Sequence, residues 1–325
     1  MKQGFYIMMA AATLALAACG DNESLGTADG PVEARVTAGI GGPAARAIDQ
    51  KWNADRIGVW VKEAPTSDME SLYRNVLYTT ASTGTTADFT AEKGKGIFFQ
   101  DADETVTFAA YAPYQESAAN SLLPGENGKV AVDTRDNNTR EKQEGIDFLF
   151  AEGATASRKA NTVTFADNTL SGGSDCSFHH EMAQLEVEFQ LSEDDGFTGK
   201  SIADGSFNLG GLIHEGTFDV TTGETAATGE PADSWDITGC AYKDVENVRT
   251  YSLIVLPQDL SGKPLNVMVG MEGQTYKNVK DVNPKMEAGK TYTYTITVKK
   301  TGLVVTGCTI SPWKLGYTGS GEAVM

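Results

Sequence analysis

The chain has 325 residues, of which 40% are hydrophobic, and it carries 26 Lys and Arg against 44 Asp and Glu. The resulting net charge, 26 − 44 = −18, argues against binding to nucleic acid or to anionic lipid surfaces, because both need clustered basic residues. The hydrophobic content is enough to bury a core and excludes a disordered chain, and the length predicts about two domains.

Residues 1–18 have the properties of a secretory signal peptide. Lys2 precedes an apolar run that is too short to span a bilayer. The run ends in Leu-Ala-Ala-Cys, which resembles a bacterial lipobox and implies cleavage between Ala18 and Cys19 with acylation of the Cys19 thiol. An ordinary signal with a chance cysteine is the alternative. Residues 19–30 are polar and contain glycine, and we interpret them as a tether.

Beyond the tether, short segments of alternating apolar and polar residues follow one another, and no long stretch has a helical period. Such alternation predicts strands with one buried face. Turns rich in Gly, Pro, Asn and Asp separate the segments, which favours β-sandwiches over a parallel sheet covered by helices. The predicted strands are 32–40, 57–61, 105–110, 148–150, 185–191, 253–256, 265–269 and 292–298.

A Gly/Ser-rich stretch at residues 171–175 is the predicted boundary between two domains. It divides the chain into an N-terminal β-sandwich, residues 31–172, and a C-terminal β-sandwich, residues 173–325. Each half has about 145 residues, an ordinary size for a sandwich domain.

Few residue patterns indicate catalysis or metal binding, and we expect no enzymatic activity, no cofactor and no metal. Adjacent His179 and His180 would point to opposite faces of a strand, so they cannot easily bind one metal ion. The acidic segments 101–104 and 193–195 could supply oxygen ligands for calcium, but they lack the EF-hand spacing and are better interpreted as solvated turns. A hydrolase with two facing carboxylates stays an alternative, since that chemistry needs only two acids.

Three cysteines remain besides the lipidated one: Cys176, Cys240 and Cys308. Their wide spacing does not match a zinc site. They can form at most one disulfide, and the spacing does not say which. We interpret them as small buried hydrophobic residues.

The segment after the first predicted strand contains Gly and Pro and leads to Arg46. Pro and Gly keep this segment out of a sheet and therefore exposed, so Arg46 would be accessible to an Arg-specific protease. Cleavage between Arg46 and Ala47 would release residues 31–46 with the lipid on Cys19. The remaining sheet would have unpaired backbone groups and a groove that can capture a strand of another molecule. An ordinary surface arginine is the alternative.

Beyond the lipobox and the first strand with Arg46, six further segments follow in a fixed order: Trp52–Val59, Ala110–Tyr114, Asp147–Leu149, Phe178–Leu185, Gly289–Tyr294 and Ile310–Trp313. This ordered set resembles the fimbrillin family, the subunits of type V pili in Bacteroidales. Two departures occur: Ala54 replaces a family glycine, and Ala112 is inserted into a Tyr-Pro-Tyr pattern.

The resemblance implies an all-β fold with two transthyretin-like β-sandwich domains in tandem. It also implies an outer-membrane lipoprotein at the cell surface that enters a fimbrium after proteolysis at Arg46, by strand exchange, and serves cell adhesion. The donor segment would be residues 302–325, with the apolar residues Leu303, Val305, Ile310 and Trp313.

The implied partners are other fimbrial subunits, as a homopolymer or with accessory or anchor subunits, an Arg-specific protease, and the outer membrane through the lipid. The alternative function is a monomeric surface lipoprotein that binds a glycan or a host protein. That alternative predicts an exposed aromatic platform, with Trp235 and Tyr242 as candidate members.

Overall fold

The computed structural model describes residues 30–41, 52–53, 55–119, 121–280 and 285–313. The described residues from Val32 onward belong to one compact unit. The described residues form 24 strands and three short α-helices, which confirms the all-β fold class. None of the described helices has the length and apolar character needed to cross a bilayer.

The strands of the N-terminal half are short and follow one another through tight turns. They are β1 Val32–Glu33, β2 Arg35–Gly39, β3 Arg56–Glu63, β4 Val76–Thr79, β5 Thr86–Phe89, β6 Phe98–Phe99, β7 Thr105–Ala112, β8 Lys129–Asp133, β9 Leu149–Ser157, β10 Thr162–Phe165 and β11 His179–His180. Two helices interrupt them, α1 Met69–Leu72 and α2 Arg140–Ile146.

The C-terminal half contains the longest strands and one helix, α3 Gly199–Ala203. Its strands are β12 Ala183–Leu191, β13 Ser206–Gly210, β14 Glu215–Asp219, β15 Thr225–Ala227, β16 Trp235–Asp236, β17 Tyr242–Val245, β18 Val248–Val255, β19 Gln258–Asp259, β20 Leu265–Met271, β21 Gln274–Lys280, β22 Lys285–Met286, β23 Lys290–Lys299 and β24 Gly302–Pro312.

The N-terminal half is a sandwich of two sheets. One has the strand order β11-β9-β7-β3-β4 and the other the order β10-β2-β5. Their inward side chains form one hydrophobic cluster, which includes Val36 and Phe165 of the smaller sheet and Ile57 and Phe108 of the larger one. Burial of this apolar area, at roughly 25 cal/mol per Å², is the main term that holds the two sheets together.

The C-terminal half is a second sandwich, of the sheets β17-β18-β12-β23-β24 and β16-β13-β20-β21. Alternation of buried and partly exposed residues explains why these segments form strands with one apolar face. Along β20, every second residue from Leu265 to Met271 is buried, so one face of the sheet is apolar. These residues pack in one cluster with Leu185 of β12 and Ile296 of β23. Tandem β-sandwiches are thus what the alternating pattern predicts.

A third hydrophobic cluster joins the two halves. It combines Tyr111 and Phe148 of the N-terminal half with Phe218, Leu256 and Trp313 of the C-terminal half. Phe148 and Phe218 are stacked, with ring centroids 4.4 Å apart. The backbone also crosses the junction, because β8 pairs with β14 in the small sheet β15-β14-β8. The halves therefore share a core as well as a chain connection.

The change from one core to the other lies beyond the Gly/Ser stretch at residues 171–175. Residues Asp167 and Asp175 form a bridge that closes this stretch into a turn. Phe178 still packs in the N-terminal cluster, whereas Ala183 is the first residue of the C-terminal cluster. A Gly/Ser run marks a turn as readily as a linker, and only packing distinguishes the two.

Residues 137–146, which include α2, cover an edge of β18 in the C-terminal half. Asn137 is fully buried, and its side chain imitates a neighbouring strand. Its Oδ1 accepts from the Ile254 amide at 2.8 Å, and its Nδ2 donates to the Ile254 carbonyl at 3.0 Å. Gln143 continues this pairing by donating to the Ser252 carbonyl at 2.6 Å. The contacts satisfy backbone groups that would otherwise be unpaired.

We predict that Asn137→Ala lowers the free energy of unfolding by roughly 2–4 kcal/mol, because it leaves the buried Ile254 amide and carbonyl without partners. Chemical denaturation measures this loss. The neighbouring, exposed Asn138→Ala is the matched control and should change stability by less than about 0.5 kcal/mol. Equal effects of the two variants would contradict the role given to Asn137.

His214, at the same junction, makes stability depend on pH. Its Nδ1 lies 3.0 Å from Thr134 Oγ1, and its buried Nε2 has no hydrogen-bond partner among the described residues. Burial, and secondarily the charge of Arg135, lower the pKa of His214 from 6.5 to about 4, against the opposing effect of Asp133. Between these values the unfolded chain binds a proton that the folded chain does not, so stability falls as the pH falls.

We therefore expect the thermal midpoint of the wild type to drop more between about pH 7.5 and pH 5 than that of His214→Asn, which keeps a polar group near Nδ1 but does not titrate. Glu181, whose pKa burial raises to about 7, is common to both proteins and cancels in the comparison. Parallel midpoint curves for the two proteins would exclude His214 as the source of the pH dependence.

Candidate functional site

The first long strand, β2, is an internal strand rather than an edge strand. It pairs in antiparallel register with β5, where Val36 lies opposite Phe89. On its other side it pairs in parallel register with β10, where Ala38 lies opposite Phe165. We call the space that β2 fills between β5 and β10 the first-strand site. Removal of β2 would leave two unpaired strand edges facing each other.

The predicted strand 32–40 is interrupted at Ala34, where it changes neighbours. Residues Val32 and Glu33 form β1 and pair with β6, before the chain continues as β2. Both ends of β2 are held by further backbone hydrogen bonds of 2.8–3.0 Å, which are Ala34 N to Ile97 O, Arg35 N to Asn161 O and Gly41 N to Phe178 O. The strand is thus hydrogen-bonded over its whole length.

The inward side chains of the first strand are small. Ala34, Val36 and Ala38 are at most 2% exposed, and they pack against a cluster of large aromatic rings. Trp52 lies at the centre of these rings, with centroids 4.9 Å from Phe89 and 5.2 Å from Phe178. The small side chains leave the room that the rings fill, since protein interiors are close-packed.

Two of the aromatic residues also hydrogen-bond to the first strand. Trp52 Nε1 donates to the Ala38 carbonyl at 2.8 Å, and the Tyr78 hydroxyl donates to the Ala34 carbonyl at 3.3 Å. Tyr78 also accepts from the Ile97 amide at 3.1 Å. Burial raises the pKa of Tyr78 to about 12, so its hydroxyl stays a donor at physiological pH. The site therefore recognises two carbonyl groups four residues apart.

The outward side of the first strand is open to solvent. A cavity of about 840 Å³ lies along it and is lined by residues of β1, β2 and β5 and the start of β10. Arg35 on this side is exposed. Release of β2 therefore requires breaking two ladders and the hydrogen bonds from Trp52 and Tyr78, and it exposes one apolar face.

The residues predicted for lipidation and cleavage, Ala18, Cys19, Arg46 and Ala47, lie outside the described residues. The described residues on either side of Arg46 are fixed to the sandwich. Gly41 donates its amide to the Phe178 carbonyl, and Trp52 donates its amide to the Gly84 carbonyl at 2.8 Å. Trp52 follows Arg46 in the chain, so it would stay with the sandwich after cleavage.

The described part of the predicted donor segment, residues 302–313, forms β24 and its end. Among the described strands, β24 pairs only with β23 and lies at the edge of its sheet. Leu303 and Val305 are 8% and 5% exposed in the C-terminal core, whereas Ile310 is 53% exposed. Residues 314–325 lie outside the described residues.

Trp313 ends this segment as a buried residue of the shared cluster. Its ring stacks on His180, with centroids 4.2 Å apart and planes 8° apart. The Trp313 amide donates to the Gly289 carbonyl at 3.0 Å, and His180 Nδ1 lies 2.8 Å from Asp147 Oδ1. Trp313 therefore fixes the end of β24 to both halves of the molecule.

The remaining candidate groups do not form a reactive centre in the described part of the chain. His179 is exposed and His180 is buried, as alternation along a strand predicts. No group of three or more His, Cys, Asp or Glu among the described residues could hold a metal ion. Cys176, Cys240 and Cys308 are free, and burial raises the pKa of the Cys240 thiol to about 12, which makes it inert.

The aromatic platform proposed for the alternative function is not present as predicted. Trp235 is 6% exposed, and its Nε1 donates to the Arg135 carbonyl at 3.1 Å. Tyr242 is 47% exposed, but the Arg249 guanidinium lies 3.9 Å from its ring centroid. The sequence alone does not distinguish a buried tryptophan from an exposed one, because both occur in turn-rich segments.

Sequence reasoning missed Tyr78 and the double role of Trp52 at the first-strand site. The spacing Ala34-x-Val36-x-Ala38 was visible as a strand, but not as the small-residue half of an aromatic cluster. A signal was present in the motif that begins with Trp52, since a buried tryptophan usually finds a hydrogen-bond acceptor for its N–H group.

Comparison with known proteins gives a consistent result. The fimbrillin-like family profile matches residues 45–313. A candidate fimbrium subunit of Bacteroides uniformis, Fim1C, is 27% identical over an alignment of 336 positions that covers 99% of this chain and 98% of that protein. The crystal structure of a candidate cell adhesion protein from Bacteroides ovatus superimposes with a TM-score of 0.70 at 27% identity, covering 89% of this chain and all of the other.

A second candidate cell adhesion protein, from Bacteroides uniformis, has the same fold, with a TM-score of 0.63 at 24% identity over 89% of this chain and all of the other. The family profile covers both sandwich halves. It includes Trp52, β5 and β10 around the first-strand site, and Trp313 at the end of β24. The chain therefore belongs to the fimbrillin-like family.

Proposed function

We propose that the protein is a lipid-anchored precursor of a fimbrial subunit that polymerises by strand exchange after proteolysis at Arg46 and serves cell adhesion. The observation that carries this proposal is the internal position of β2 between β5 and β10. A cut after Arg46 would separate β2 from the rest of the sandwich. Because β2 lies between two other strands, its departure would leave a site for one replacement strand.

Anchoring rests on the N-terminal signal and on membership of the family. The lipobox at Ala18 and Cys19 would attach the precursor to the outer membrane, with residues 19–30 as a tether. Since the anchored cysteine precedes β2 in the chain, a cut after Arg46 separates the lipid from the sandwich. The same cut would therefore both release the subunit from the membrane and free the first-strand site.

The vacated first-strand site fits a strand well. The edges of β5 and β10 would lie ~10 Å apart, twice the spacing of paired strands. Each restored ladder hydrogen bond contributes about 1 kcal/mol, and the aromatic cluster returns to an apolar environment. Trp52 and Tyr78 would again find carbonyl acceptors on the incoming strand. The charge of −18 keeps unassembled precursors apart in solution.

We propose that the donor lies within residues 302–325 of a second subunit. The edge position of β24 means that its release breaks one ladder among the described strands, with β23, and the hydrogen bond from Asn278 Nδ2 to the Leu303 carbonyl. Its apolar residues Leu303, Val305, Ile310 and Trp313 would then be available to the acceptor. Burial of Trp313 beside His180 opposes release and would keep β24 in its own sheet until an acceptor is present.

The proposed cleavage predicts a single change of N-terminus. Limited trypsin treatment of the lipid-free Cys19→Ser chain should give a new N-terminus at Ala47, followed by fibres visible by electron microscopy and by ladders that resist SDS. Arg46→Gln should abolish both, while the matched Arg140→Gln, which removes a partly exposed ion pair with Glu144 far from Arg46 in the chain, should leave both unchanged.

Cleavage at Ala47 without fibres would restrict the protein to a tip or anchor position that needs another subunit. Resistance of Arg46 in a persistent monomer would contradict the proposal and favour the monomeric surface lipoprotein instead.

Strand exchange also predicts that one substitution acts before cleavage but not after it. Ala38→Leu overfills the first-strand site and should lower the stability of the precursor by roughly 1–3 kcal/mol. The fibre should melt like the wild-type fibre, because residue 38 has left with the propeptide. Phe165→Leu changes the wall of the site and should weaken precursor and fibre alike, by a similar amount.

Thermal melting of the uncut chains and of the purified fibres compares the two variants. A fibre of Ala38→Leu that is weakened as much as its precursor would show that β2 stays in place, and strand exchange at this site would be wrong.

A further inference from the structure

A second cavity, of about 430 Å³, lies at the free edge of β4, outside the first-strand site. It is within the size range of sites that hold small ligands. We call it the β4 cleft, and its lining residues that the argument uses are Arg56, Arg74, Asn75, Tyr114, Glu116 and Ser117.

The floor of the β4 cleft is held by a network of hydrogen bonds. Asn75 Nδ2 donates to the Gln115 carbonyl at 3.0 Å and to Ser117 Oγ at 2.9 Å. The Tyr111 hydroxyl donates to Asn75 Oδ1 at 2.8 Å. Gly58 makes room for this network, since a Cβ there would lie 2.3 Å from the Tyr111 ring and 2.7 Å from Asn75 Oδ1. The cleft is therefore formed before a ligand binds.

Positive charge in the β4 cleft contrasts with the strongly acidic chain around it. The Arg56 guanidinium lies 5.1 Å from the Tyr114 ring centroid and 3.5 Å from the Glu116 carboxylate, so its charge is partly compensated. Arg74 is exposed and forms no ion pair with a described residue. Arg74 is thus the group that is free to bind a carboxylate, for which its planar fork is suited.

The rest of the lining suits a sugar. Ser117 offers a hydroxyl, and Glu116 is an exposed acceptor for sugar hydroxyl groups. Leu72 and Leu122, which are 52% and 60% exposed, line the same cleft and provide apolar contact for the C–H face of a ring. Two large apolar side chains left in water beside a polar floor are typical of a binding surface.

We propose that the β4 cleft binds an acidic glycan, with the carboxylate of a sugar on Arg74 and its hydroxyl groups on Glu116 and Ser117. The residues that line this site differ from those that contact β2, so we expect it to bind ligand both before cleavage and after assembly. It would give the precursor and the assembled subunit the same receptor-binding surface.

The test is titration calorimetry on the full lipid-free Cys19→Ser chain, uncut, with N-acetylneuraminic acid and glucuronic acid glycosides as probes. N-acetylglucosamine and galactose glycosides test the need for the carboxylate, and an Asp/Glu-rich peptide tests a protein ligand. We expect an acidic glycoside to bind, and neutral sugars and the peptide to bind at least about tenfold more weakly.

Arg74→Gln should weaken binding by about tenfold or more, and Arg74→Lys, which keeps the charge but not the fork, by less. The matched Arg140→Gln should bind like the wild type. Equal binding of neutral and acidic sugars, preference for the peptide, full binding by Arg74→Gln, or no binding of either acidic glycoside would each overturn the proposal. Thermal midpoints of all variants confirm that each is folded.

Discussion

The pairing of β2 with both β5 and β10 is the constraint on which the rest of the N-terminal half depends. The small sheet has only three strands, and β2 is the middle one. Without it, neither β5 nor β10 has a neighbour in that sheet, and the aromatic cluster around Trp52 loses its cover. A free pair of edges and an apolar surface are the two features that drive strand capture. Stability of the precursor and reactivity of the cut chain thus have one physical origin.

The shared cluster joins the two sandwiches through one continuous hydrophobic core. Stacking of Phe148 on Phe218, the β8–β14 pairing and the Asn137 contacts all cross the junction. In the proposed fibre, the acceptor site lies in one half and the donor segment leaves from the other. Tension along the fibre would pass through this junction in every subunit. Trp313 lies in the same cluster, so the end of the donor and the junction are coupled through one set of contacts.

Much of the fold was predictable from alternation, because a half-buried strand has a period of two in any context. The strands that contain Leu185, Leu265 and Tyr292 are where the pattern places them. The position of the core change was not predictable, since the Gly/Ser stretch is a closed turn and Phe178 packs upstream of the change. The burial of Trp235 was not predictable either, because its N–H group donates to the carbonyl of Arg135, which is far away in the chain.

The sequence by itself determined the β class of the described residues, because that class depends on local periodicity. Local composition also predicts the signal at residues 1–18 and the accessibility of Arg46, which lie outside the described residues. Only the tertiary structure decided that β2 is internal and that Trp52 and Tyr78 donate hydrogen bonds to carbonyls of the first strand. It also decided that Arg56 and Arg74 line one cleft. These features join residues far apart in the chain. Strand order follows from how whole faces pack, and no local pattern contains that information.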